Sequence, residues 1–202
     1  MGQWPVVEFA FSPPRSQLDV DADAIMAAVP RSATNKRIFI EIPCKQVAAR
    51  LSVDEVLARA GVTLRVDNPY DDVPWHDYFR VVVVVAGELC GSQIGEGLRE
   101  IGRTFYPSLA GTPVGQMLVG RHLGAVIRQA AENWMLFNTV GSVRAEYLFE
   151  RNFRFVFEGY PLVLTETMAV GVFEGMFNYF HMPVQLGLAN LSPMSSVLDV
   201  RW

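Results

Sequence analysis

The chain has 202 residues, half of them hydrophobic and 19% charged, with a net charge of −4 and a pI near 5.4. That length suits one domain with an extension, and the acidic balance excludes a surface that coats a nucleic-acid duplex, which needs Lys and Arg gathered against phosphates. No apolar run approaches the ~20 residues that span a bilayer, so no membrane span is expected and the surplus apolar surface must enter a core, a ligand cavity or a subunit interface.

Residues 6–11 can form a short strand before Pro13 and Pro14 break the chain. The first eleven residues lack a basic leader and cleavage pattern, and Gly2 is followed at the sixth position by Val6, not Ser or Thr. A cytoplasmic protein without a lipid anchor is expected, with Cys44 and Cys90 as free thiols. Acidic residues ahead of Ile25 and Met26, with Pro30 beyond, predict a short helix over 19–29. Ile38, Phe39, Ile40 and Ile42 form an apolar run closed by Pro43, compatible with a strand or a buried helical turn. Ser52 and Glu55 make a capping box and Gly61 a left-handed stop, so residues 52–60 are a helix.

The valines at 81–85 favour a strand taken alone, but Trp75, Tyr78, Phe79, Val82, Val83, Ala86, Leu89 and Cys90 recur at helical steps behind Pro74, and helix is the reading adopted. A second helix over 92–106 carries Ile94, Leu98, Ile101 and Phe105 on one face and ends at Pro107. Thr112 and Pro113 open a long helix with the stripe Val119, Leu123, Val126, Ile127, Ala130 and Trp134. From Ser142 the period becomes two, giving a hairpin that turns at Arg151 and Asn152 with one aromatic and one charged face. Thr165 and Glu166 start a helix that is apolar almost all round, and residues 184–189 and 197–202 are strands joined by a turn over 190–195.

Pairs of glycines four apart, such as Gly87 and Gly91 or Gly171 and Gly175, read as close helix packing. No dinucleotide fingerprint, phosphate loop, nucleophile elbow or HExxH motif occurs. His76, His122 and His181 are scattered and have structural readings, so no metal site and no catalytic residue is assigned. Glu146 and Glu158 lie on the charged hairpin face, where Arg144 and Arg154 are expected to balance them across strands. The candidates for an apolar ligand pocket are Trp134, Phe149, Phe153, Phe155, Phe157, Met168, Phe173, Met176 and Phe177, with His122 on the flank of the preceding stripe. An ordinary core would use the same residues.

The segments LREIGRTFYPSLAGTPVGQMLVGRHL, RNFRFVFEGYP, MAVGVFEGMFNYF and VLDVRW, between Leu98 and Trp202, resemble a large uncharacterised paralogous family of myxobacterial proteins. Gly102, Arg103, Phe105, Thr112, Gly115, Asn152, Phe153, Arg154, Gly175 and Trp202 carry the likeness. That family is similar in turn to the superfamily of haem nitric-oxide sensors, vinyl-reductase-like ligand-binding domains and small TRAPP subunits. The resemblance implies helices against a small antiparallel sheet, frequent dimers and a precedent for apolar ligands. It does not imply haem, because the sensors' Tyr-x-Ser-x-Arg motif fails where Tyr106 and Ser108 are followed by Ala110.

The expectation is an α/β (α+β) protein with residues 1–35 as an extension and 36–202 as one domain, ending in a helix, hairpin, helix, strand unit. Its expected role is to bind a small apolar ligand in sensing or regulation, without enzymatic activity and without a cofactor. A scaffold subunit working as a homodimer or hetero-complex is the alternative, and an enzyme without a recognisable motif the third.

Overall fold

Local caps set the first helices. The computed structural model describes residues 20–64, 67–112, 115–116 and 123–202, so the expected strand at 6–11 lies outside it. Asp21 caps α1 (Ala22–Ala28) by accepting the Ala24 amide at 2.9 Å. β1 (Thr34–Lys36) then pairs antiparallel with β2 (Asp72–Pro74). Ile25, Val29 and Ala33, within the stretch set apart as an extension, belong to the same buried cluster as the later helices.

The ambiguous apolar run is helical. It forms α2 (Ile38–Val47), and Pro43 stands inside this helix instead of ending it. Proline withholds one amide from the helical ladder. Ile40, Ile42, Cys44 and Val47 are each almost fully buried, and α2 packs on α4 (Trp75–Cys90) and α5 (Ile94–Ala110), so tertiary burial overrides the local break. Between them α3 (Val53–Ala60) has the complete capping box: Ser52 Oγ accepts the Glu55 amide at 3.3 Å and Glu55 Oε2 accepts the Ser52 amide at 2.8 Å. Gly61 ends α3 at φ 64°. The valine run is indeed inside α4, with Pro74 as its N-cap. α5 continues past Pro107 for one more turn, because Tyr106 is buried and Leu109 packs on the core.

Thr112 Oγ1 accepts the Gly115 amide at 2.9 Å, as an N-cap does. The stripe beyond it is divided into α6 (Leu123–Glu132) and α7 (Trp134–Phe137), with the break at Asn133. Residues 113–114 and 117–122, with Val119 and His122, lie outside the described residues. β3 (Ser142–Phe149) and β4 (Asn152–Glu158) form the hairpin, which turns at Glu150 and Arg151, one residue earlier than expected, with Phe149 opposite Asn152 and Arg151 at φ 62°.

The chain is helical from Leu162, not from Thr165: α8 (Leu162–Leu164) runs into a π-helical turn (Thr165–Ala169) and then α9 (Val170–Tyr179). β5 (Gln185–Ser192) and β6 (Ser195–Arg201) close the sheet in the order β3-β4-β6-β5, all antiparallel, around a turn at Pro193 and Met194. The architecture is the expected one, helices packed on a small antiparallel sheet.

α5 and α9 cross in backbone contact. A Cβ on Gly102, Gly171 or Gly175 would sit inside the backbone of the facing element, at Met168, Arg99 and Arg103 respectively. Beside the crossing, Glu174 is 2% exposed and accepts from Arg99 Nε at 2.9 Å and Arg103 Nε at 2.7 Å. Burial alone would lower the Arg103 guanidinium, but Glu174 and then Glu100 reverse that and hold it above its ordinary value. No single described helix is long and apolar enough to cross a membrane.

Candidate functional site

The aromatic face of the hairpin does not pack solidly on the helices. A cavity of about 230 Å³ lies between them. Phe155 and Phe157 of β4 and Val143 of β3 form its floor, and Met168, Ala169, Val172, Phe173 and Met176 of the π turn and α9 form one wall. Phe105, Tyr106 and Leu109 of α5, Phe39 of α2, Tyr78 of α4 and Tyr160 after the hairpin complete the apolar lining. Val126, Gln129 and Ala130 of α6, Asn133, Trp134 and Phe137 close the remaining side, with Asn35 and Asn138 at one end.

The π turn helps to place that wall. An extra residue in a helix rotates every later residue by roughly 100°, and Met168 and Ala169 face the cavity together with Val172, Phe173 and Met176. Behind the turn lies a polar seam: Ser196 Oγ stands 3.1 Å from Thr165 Oγ1, Thr167 Oγ1 donates to the Val163 carbonyl at 2.6 Å, and Asn190 Nδ2 donates to Glu166 Oε1 at 3.3 Å. These groups satisfy one another away from the cavity, where none of them is found.

Tyrosine hydroxyls supply most of the chemistry in the lining. Among the described residues the Tyr78 hydroxyl reaches only the Met168 thioether, at 3.6 Å, and the Tyr106 hydroxyl and Gln129 Oε1 are buried without a partner. Burial, with Tyr179 second, pushes Tyr106 up to about 12, and burial raises Tyr78 and Tyr160 further. All three phenols are therefore protonated donors at neutral pH. No Lys, Arg, His, Asp or Glu is among the described lining residues.

Of the pocket candidates, Trp134, Phe155, Phe157, Met168, Phe173 and Met176 line this cavity. Phe153 and Phe177 do not, being buried against the Trp202 ring at 5.8 and 5.5 Å. Phe149 is 74% exposed at the end of the edge strand, beyond a bulge after Tyr147. His122 lies outside the described residues. On the charged hairpin face Arg154 stands opposite Glu146 across the strands, as expected, but its hydrogen bonds go to Asp199 of β6 at 2.8 and 3.2 Å. Asp199 first, with Glu146 contributing, holds its guanidinium above the ordinary value, while Arg144 meets Glu146 on its own strand at 3.0 Å. His76 contacts the Met26 carbonyl at 2.9 Å, and His181 stands just past α9 at φ 54°. Among the described residues no three His, Cys, Asp or Glu side chains gather where a metal could sit.

Neither a protein-family model nor a curated protein matches the chain. Solved structures do. An H-NOX protein from S. oneidensis in the Fe(II)NO ligation state superposes with a TM-score of 0.62 at 15% identity, over 82% of this chain and 98% of that one. A variant of an S. oneidensis H-NOX protein in the Fe(II) state gives 0.65 at 16%, over 82% and 95%. The chain has the H-NOX fold. An Fe(II) unliganded H-NOX variant from K. algicida agrees, with a TM-score of 0.60 at 10% identity, over 82% and 95%. At these identities the likeness is one of architecture.

Haem is the group that an H-NOX fold brings to mind, and the described lining does not fit it. Haem iron needs an axial His, Cys, Met or Tyr, and a tyrosine ligates as phenolate. The described lining residues include no His or Cys, their phenols are raised by burial, and the Met168 sulfur already receives the Tyr78 hydroxyl. No cation among these residues would meet the two propionates. None of the six tyrosines of the chain begins a Tyr-x-Ser-x-Arg motif.

Proposed function

We propose that this protein is a non-enzymatic sensory or regulatory domain of the cytoplasm that binds a small apolar ligand in the cavity between the hairpin and the helices. The cavity itself carries the reading: about 230 Å³ walled almost wholly by aromatic and aliphatic side chains, in a chain that elsewhere packs backbone against backbone. Ligand pockets are concave and mostly apolar, with a few polar groups to orient the guest. The S. oneidensis H-NOX protein in the Fe(II)NO ligation state lends support, as a ligand-binding protein that shares this architecture. Titration of the full chain with a neutral bicyclic aromatic, followed by calorimetry, tests the reading. Binding is expected in the wild type and weakened in Val172→Phe, whose ring intrudes into the cavity from its wall. Equal binding by both proteins would place the guest elsewhere and sink the proposal.

One observation favours a second reading, a subunit that pairs with its own copy. β3 is an edge strand on which Tyr147 is 62% exposed and Phe149 74% exposed. Antiparallel pairing of two β3 strands about Ala145 would set each Arg144 opposite the other Glu146, so the edge is complementary to itself. Arg144→Glu should then dissociate a dimer in sedimentation experiments, and adding Glu146→Arg should restore it. A wild type that sediments as a monomer at high concentration removes this reading.

A further inference from the structure

We infer that the cavity selects an uncharged ligand carrying one group that both accepts and donates a hydrogen bond, such as a carboxamide or a hydroxyl, on an apolar body of about two fused rings. This rests on the reading of the cavity as a ligand site. Tyr106 and Gln129 both line it, and the Tyr106 hydroxyl and Gln129 Oε1 are buried with no hydrogen-bond partner among the described residues. Buried polar atoms are paired in the large majority of cases, because leaving one unpaired forfeits its hydration. Two orphans on the lining of one cavity are what a site shows when its guest brings the missing partners. The phenol offers a donor and the amide oxygen an acceptor, so the guest must supply the converse of each. Tyr78 adds a donor held only by a thioether, a weak acceptor that a carbonyl or hydroxyl displaces.

Charge is excluded from the guest by the absence of counter-charge. With no basic or acidic side chain among the described lining residues, an ion would lose its hydration and gain no opposite charge. Size is set by volume: about 230 Å³ is half as large again as the ~150 Å³ apolar cavity that takes up a benzene.

Three naphthalenes with the same number of non-hydrogen atoms separate these requirements: 2-naphthamide, 2-naphthoate and 2-isopropylnaphthalene, titrated calorimetrically into the full chain at pH 8. The amide is expected to bind on the order of tenfold tighter than the isopropyl compound, the worth of about one net hydrogen bond, and the carboxylate not measurably. Tyr106→Phe and Gln129→Met should each erase the amide's advantage and leave 2-isopropylnaphthalene unaffected. Both variants should resist denaturant at least as well as the wild type, since neither the Tyr106 hydroxyl nor Gln129 Oε1 has a partner to lose among the described residues. If the isopropyl compound binds as tightly as the amide, the inference fails and the apolar cavity stands. A tightest-binding carboxylate overturns it on charge. If none of the three binds, the inference and the reading beneath it fall together.

Discussion

The two faces of α9 are built on opposite rules. Toward α5 it approaches until backbones touch, with Gly171 and Gly175 leaving no room for a single Cβ and Glu174 locked between Arg99 and Arg103. Toward the hairpin the same helix offers Val172, Phe173 and Met176 to a space that nothing in the described chain fills. Protein interiors reach crystal-like density, and voids cost stability in proportion to their volume. A chain able to close one face so tightly and leave the other open carries the opening as a feature of its packing, and that contrast is what makes the cavity informative.

The closed face can be broken most severely at its charge. Glu174→Leu leaves two guanidiniums without their shared acceptor, and removal of one member of a buried pair costs about 3–5 kcal/mol. The lower end is expected in urea unfolding, because Arg103 keeps Glu96 and Glu100. Replacing Arg99 and Arg103 by Met in the same protein should recover most of the loss. Next in size is Gly175→Ala, whose methyl group would be driven into the Arg103 backbone for about 1–3 kcal/mol. A Gly175→Ala protein with unchanged stability would show that the two helices have room to spare at their crossing.

The open face responds in the other direction. Val172 is half-buried on the cavity wall, so Val172→Phe adds contacts without displacing any, and a gain of about 0.5–1 kcal/mol is expected in the same assay. A loss as large as that of Gly175→Ala would mean the two faces are equally full.

Much of this arrangement can be read before any fold is known, and the reason is locality. The capping box at Ser52 and Glu55 and the alternation through Phe153, Phe155 and Phe157 declare their elements within a few residues. Trp134, Phe155, Phe157, Met168, Phe173 and Met176 reach the cavity because a period of two and a helical period both point there. Phe149 obeys the same alternation and fails, since the bulge after Tyr147 and the edge position remove its cover. Phe153 and Phe177 are taken by Trp202, a partner that no periodicity reveals. Phe39 is hidden in a run whose proline suggests an end to the element. Asn35 and Asn138 meet through a bridge between segments a hundred residues apart, and the π turn has no compositional mark at all. Distance along the chain, more than subtlety of chemistry, separates the legible features from the rest.

Titration compares the two regions as well. Burial, with Glu41 second, raises the Cys44 thiol from 9.0 to about 11 in the closed helical layer, and burial raises the Tyr106 phenol from 10.0 to about 12 beside the cavity. Both groups hold their protons more tightly folded than unfolded. Their contribution is thus complete below the ordinary values and is lost as pH rises through the folded ones. Denaturant midpoints should fall from about pH 9 upward, with Cys44→Ala flattening the earlier part of the decline and Tyr106→Phe the later. A saturating neutral guest that hydrogen-bonds the phenol should shift only the later part. If Tyr106→Phe leaves the whole profile unchanged while Cys44→Ala flattens it, water reaches the phenol through the cavity, and the open face is wetter than its lining implies.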